Sequence, residues 1–181
     1  MELYKLKLTR LHNEIFRLLC IKVGVKLNQR DIARNLKVSP TAVAKSVKLL
    51  ETKQLIKVEK SKTMNLTSIE LNRDNHKAVE LKRIENLKLI YDSNLIDSLE
   101  EKFPGCTIII FGSYSKGEDT IKSDIDIAII GSKSKTVDLG VFDKKLERKI
   151  FLQFYDSFKD LNKNLKSNIL NGITLAGGVE L

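Results

Sequence analysis

Two aspartates one residue apart, Asp124 and Asp126, follow a Gly112–Ser113 pair in a chain of 181 residues. Side chains alternate along a strand, so on a strand both carboxylates point to one face and Ile125, Ile127 and Ile129 to the other. Paired carboxylates are hard oxygen donors of the kind Mg²⁺ or Mn²⁺ takes while it also holds phosphate oxygens. Gly112 has no side chain, which lets the backbone come close to a phosphate. The Ser113 hydroxyl and the N–H groups around it can bind phosphate oxygens. Lys116 lies between the two pairs, either as a phosphate partner or as a solvated loop lysine. The bland alternative for the whole segment is a loop glycine and an accidental surface Asp pair.

Such residues need strands to hold them. Residues 107–111 (Thr-Ile-Ile-Ile-Phe) read as a buried strand leading into Gly112. A polar loop follows, then a second strand from Ile125 to Ile130. Lys144 and Lys145 open onto a third strand, Ile150 to Tyr155. A helix from Ser157 to Leu170 and a glycine-rich end (Gly172, Gly177, Gly178) complete this half.

Ten residues, Tyr114 to Ser123, separate Gly-Ser from Asp-x-Asp. This order and interval resemble the minimal nucleotidyltransferase branch of the DNA polymerase β-like superfamily, over residues 103–180. The resemblance implies a mixed β-sheet with helices. It also implies that Gly112 and Ser113 hold the triphosphate of an NTP substrate, and that Asp124 and Asp126 are catalytic ligands of Mg²⁺ or Mn²⁺. Members of this family commonly have arginine where Lys116 stands; lysine keeps the charge but lacks the planar fork for bidentate phosphate contact. Active members also add a third carboxylate from the next strand, completing a two-metal site. No acid lies within Ile150–Tyr155; Gln153 falls near that slot, and Glu147 and Asp156 flank the strand. Two readings stand. One is a Mg²⁺-dependent transfer of NMP from an NTP to an unknown acceptor. The other is a catalytically impaired regulator or antitoxin that binds nucleotide, DNA and a protein partner.

The net charge of +9 lies wholly in residues 1–72, which hold 15 Lys/Arg against 6 Asp/Glu; residues 73–181 hold 17 of each. An excess of this kind suits a polyanion, or is a solvated lysine-rich surface. Residues 4–8 alternate like a short strand. Thr9 caps a helix closed by Gly24, Asn28 caps a helix to Leu36, and Ser39-Pro40 opens a third to about Lys53. Leu55–Lys60 and Met64–Leu71 then read as a hairpin around Ser61-Lys62-Thr63. This order resembles a winged helix-turn-helix over residues 9–72. If the third helix enters a major groove of double-stranded DNA, Thr41, Ala42, Lys45, Ser46 and Lys48 face it, and Lys60 and Lys62 reach backbone phosphate. Winged-helix modules that contact proteins have the same sequence pattern.

The expected organisation is an α+β chain of two domains. A winged helix-turn-helix spans 1–72, a connecting helix 73–102 (Leu81, Ile84, Leu87, Tyr91 and Leu95 inward, a break near Ser93-Asn94) and the nucleotidyltransferase domain 103–181. No apolar run approaches the ~18 residues of a membrane span. Cys20 and Cys106 form neither a disulfide framework nor a zinc site, which points to the reduced cytoplasm. His12 and His76 lack metal-ligand spacing and read as surface or helix-end residues.

Overall fold

Local capping chemistry sets the first helices. In the computed structural model, which describes residues 8–60 and 67–179, α1 (Arg10–Ile21) starts at Thr9, whose N–H donates to His12 Nδ1 at 3.0 Å. His12 is therefore a helix-end residue with a capping role. The Asn28 side chain accepts from the N–H groups of Arg30 and Asp31, and Asp31 Oδ2 accepts from the Asn28 N–H, closing the box that begins α2 (Gln29–Leu36). Ser39 accepts from the Ala42 N–H, and Pro40 takes the first position of α3 (Pro40–Thr52). The hairpin β1 (Ile56–Lys60) and β2 (Thr67–Leu71) is antiparallel, and an isolated bridge joins Leu27 to Ile69. Ile15, Leu19, Ile32, Val43, Leu50 and Ile69 are buried together in this unit. Three helices and an antiparallel hairpin give the expected winged-helix arrangement. The strand expected at residues 4–8 and the turn at Ser61-Lys62-Thr63 lie largely or wholly outside the described residues.

The chain divides at Val79/Glu80 into two compact units, an α+β two-domain organisation. The division falls inside α4 (His76–Asp92). After the break at Ser93, α5 (Leu95–Lys102) follows; Ile90, Leu95, Ile96, Leu99 and Phe103 then pack into the core of the second unit. The segment expected as a connector thus belongs largely to the second unit. Its inward face also differs from the expected stripe. Ile84 is 61% and Tyr91 51% exposed, whereas Lys82, Asn86 and Ile90, spaced four apart, are buried. Polar side chains turn inward here because they meet a buried partner, Asp119.

The second unit is a four-stranded mixed sheet in the order β5-β4-β3-β6. It comprises β3 (Thr107–Phe111), β4 (Ile125–Ile130), β5 (Ile150–Tyr155) and β6 (Ile173–Ala176). β3 pairs antiparallel with β4 and β6, and β4 pairs parallel with β5. Ile108, Ile110, Ile125, Ile127 and Ile129 face α4 and α5, while Ile109, Phe111, Ala128 and Ile130 face Phe158, Leu161 and Ile169. The region expected as a polar loop begins with a short helix, α6 (Gly112–Lys116). A helix not expected, α7 (Gly140–Leu146), precedes β5. The helix expected from Ser157 to Leu170 is a 3₁₀ turn at Phe158–Asp160 followed by α8 (Lys163–Leu170), restarted by the Asn162 cap. The glycine-rich end contributes β6.

Candidate functional site

β3 delivers the chain into Gly112 at φ +75°, a left-handed conformation that favours glycine. A Cβ there would stand 3.0 Å from Asp126 Oδ2, so the glycine also makes room for the carboxylate. Cα pairing puts Asp126 opposite Phe111 on β3 and opposite Phe151 on β5, with all three side chains on one sheet face. Asp124 is exposed just ahead of β4, two residues from Asp126 and so toward the same side. Ser113 is half-buried within α6, and Lys116 is exposed at its end. The structure thus brings Gly112 and Asp126 together and leaves Lys116 at the surface of the same turn.

Burial pushes the Asp126 carboxyl above the ordinary carboxylate range, and the nearby Asp124 charge adds to this. A hydrogen bond from Gln153 opposes the rise. Gln153 Nε2 lies 3.4 Å from Asp126 Oδ1, and Tyr155 Oη donates to Gln153 Oε1 at 2.8 Å. The ionised carboxylate, which can only accept, orients the amide: the NH₂ faces Asp126 and the oxygen faces the Tyr155 phenol. Parallel pairing with β4 sets Ile150 beside Ile125 and Tyr155 beside Ile130, which carries Asp156 to the far end of the sheet. Glu147 is on the near side, where it lines a cavity of about 420 Å³ with Asp124, Lys122, Lys144 and Arg148. Among the described residues, no three His, Cys, Asp or Glu side chains group as a metal cluster.

Beneath the loop between Ser113 and Asp124 is a network the sequence did not disclose. Asp119 is fully buried; its Oδ1 accepts from Lys82 Nζ and from Asn86 Nδ2 (2.7 Å), and its Oδ2 from Arg148 at 3.3 Å. Asn86 also donates to the Tyr114 carbonyl at 2.9 Å. One carboxylate therefore ties α4, the turn after Gly112 and the start of β5 together. The only trace in sequence was polar residues at four-residue spacing on an otherwise apolar helix. Thr120 and Ser123 close the last turn before Asp124, with the Thr120 N–H donating to Ser123 Oγ at 2.9 Å.

In the first unit, Thr41, Lys45 and Lys48 are exposed on one face of α3, with Ala42 half-buried beside them. Ser46 is only 7% exposed. It shares the inner stripe with Val43, Val47 and Leu50, which the three- and four-residue spacing dictates, and is removed from the outward set. Lys60 is exposed at the end of β1, and Lys62 lies outside the described residues.

A family model for the nucleotidyltransferase domain matches residues 92–173. No curated protein matches the chain. Among solved structures the chain is similar to a variant of ZitR from Lactococcus lactis, with 27% identity and a TM-score of 0.42 over 55% of this chain and 65% of that one. Wild-type ZitR in complex with DNA gives 26% identity and 0.42 over 56% and 66%. The adhesin competence repressor AdcR from Streptococcus pyogenes gives 24% identity and 0.44 over 56% and 71%. The chain spans less than two thirds of the length of the first of these. No helix among the described residues is long and apolar enough to cross a membrane.

Proposed function

We propose that the second unit binds a nucleoside triphosphate together with Mg²⁺ or Mn²⁺, and that the chain is a DNA-binding regulator whose nucleotidyltransferase fold responds to nucleotide with little turnover. The observation that carries this reading is Gln153 Nε2 3.4 Å from Asp126 Oδ1, on the strand where the resemblance expects a third carboxylate. Asp124 and Asp126 suit one hard cation that keeps its other positions for phosphate and water. Gly112 opens the space in front of Asp126, and the Ser113 hydroxyl and backbone would hold phosphate oxygens. A cation bound there would neutralise phosphate charge. Two divalent ions within ~4 Å repel strongly unless carboxylates compensate them. Gln153 supplies no charge, and it cannot take a proton from an attacking hydroxyl.

DNA binding is the role that fits residues 1–72, which hold the whole charge excess. Thr41, Lys45 and Lys48 would meet the duplex from α3, and Lys60 would meet its backbone.

The intact Gly112–Ser113 and Asp124–Asp126 geometry favours a second reading, NMP transfer to an acceptor hydroxyl. Incubation with each α-labelled NTP, Mg²⁺ or Mn²⁺, and lysate separates the two. Calorimetric NTP binding without label transfer is expected for wild type, with transfer gained on Gln153→Glu. Fast transfer by wild type that Gln153→Glu leaves unchanged would reject the regulator reading. Glu147, which shares a cavity with Asp124, would then be the next acid to replace.

A further inference from the structure

The face of the sheet that carries Asp126 is closed on one side and open on the other. Phe111, Ala128 and Ile130 are covered by Phe158, Leu161 and Ile169. Phe111 is also pressed by Gly172, where an added Cβ would lie 3.0 Å from the Phe111 Cβ. Phe151, the direct β5 partner of Asp126, is instead 52% exposed on the outer strand. Neighbouring strands lie about 4.8 Å apart, so an aromatic ring stands one strand away from the carboxylate with nothing in the second unit's core claiming it.

We propose that Phe151 is the platform on which the base of the bound nucleotide stacks. This rests on the reading that Asp124, Asp126 and Gly112 hold the metal and phosphates. With phosphates at Gly112–Ser113 and the β3 side packed shut, the sugar and base extend across Asp126 toward β5. There they meet a ring whose exposure is otherwise unfavourable, and covering it removes apolar surface from water. Gln153 and Tyr155, next along the same face, are neutral and already bonded to each other, so they leave the base a surface without competing charge. Stacking tolerates any base, because every base has a π-face. The site therefore selects nucleotides over bare polyphosphate more strongly than it selects among bases.

Calorimetry of the full chain with Mg-ATP and with Mg-tripolyphosphate tests this directly. Wild type is expected to prefer ATP. Phe151→Ala should weaken ATP by about 10-fold, within the range for losing one base–aromatic stack, and leave tripolyphosphate unchanged. The chain has no tryptophan, so Phe151→Trp introduces a single indole that can be excited apart from the tyrosines; Mg-ATP should alter its emission and Mg-tripolyphosphate should not. Equal losses for both ligands in Phe151→Ala, or no loss for ATP, would overturn the proposal. So would a Phe151→Ala protein that keeps its ATP preference and changes only its oligomeric state, which would assign the ring to an interface. If wild type binds neither ligand, the metal-phosphate reading fails and the platform with it. If tripolyphosphate binds and ATP gains nothing from Phe151, only the platform fails.

Discussion

Asp119→Asn should unfold the second unit at a markedly lower temperature than wild type. Asp119 is 0% exposed, and its two oxygens serve Lys82, itself 1% exposed, and Arg148. The asparagine oxygen can still accept from Lys82 and Asn86, but its NH₂ then points at the Arg148 guanidinium, donor against donor. Two buried cations lose their shared negative charge. Breaking a buried ion pair by removing one partner costs about 3–5 kcal/mol. A unit of about 100 residues holds roughly 5–15 kcal/mol in total, so the loss is about a fifth of that or more. At about 4–8 °C per kcal/mol for a domain of this size, the transition should fall by at least ~12 °C. Circular dichroism melts and urea midpoints on the full chain measure it. Adding Lys82→Met should recover part of the loss, since one of the two buried cations that shared the Asp119 charge is removed. A drop below about 1 kcal/mol would refute the reasoning, because a solvated Asp119 behaves that way.

Gly112→Ala should cost about 1–2 kcal/mol from the left-handed backbone alone and push Asp126 aside, so calorimetry should show metal-dependent NTP binding lost in a folded protein. The Asp126 carboxyl titrates above the ordinary range through burial and the Asp124 charge. Its contribution to apo stability is therefore full at low pH and lost as pH rises through the folded-state value. Asp126→Asn should raise the neutral-pH melting temperature while abolishing metal-dependent binding, and wild-type binding should weaken on acidification before an ordinary carboxylate near ~3.9 protonates. In filter binding, Lys45→Ala with Lys48→Ala should lower the slope of log K against log salt by about 2, and Ser46→Ala, a buried position, should leave that slope unchanged.

The legible parts of the fold were those with local signatures. Asn28 and Ser39 mark helix starts through their own hydrogen bonds and Pro40 through its fixed φ, and Ile125, Ile127 and Ile129 of β4 alternate with the side that carries Asp126. Gln153 stands out only through the resemblance, which expects an acid on the strand after Asp126; the parallel pairing that sets β5 beside β4 was not legible in the sequence. What escaped depends on distant partners. Nothing local says that Lys82 turns inward, since its reason lies 37 residues away at Asp119. α6 looked like loop because glycine and serine are weak helix formers. The β6 segment is four residues long and exists by pairing with β3.

That short strand also acts as a guard. β3 is a run of three isoleucines between Thr107 and Phe111, buried along its whole length. Apolar, uncharged and rich in β-branched residues, it has the composition of a segment that recruits copies of itself when its backbone edge is open. Ile173–Ala176 occupies that edge, and Thr107 Oγ1 donates to the Gly178 carbonyl just beyond it. A protease cut ahead of Ile173 would remove few core side chains yet leave one edge of β3 open, with only its β4 edge still paired. Solubility of the second unit thus depends on the four residues Ile173–Ala176 more than their small share of the core suggests.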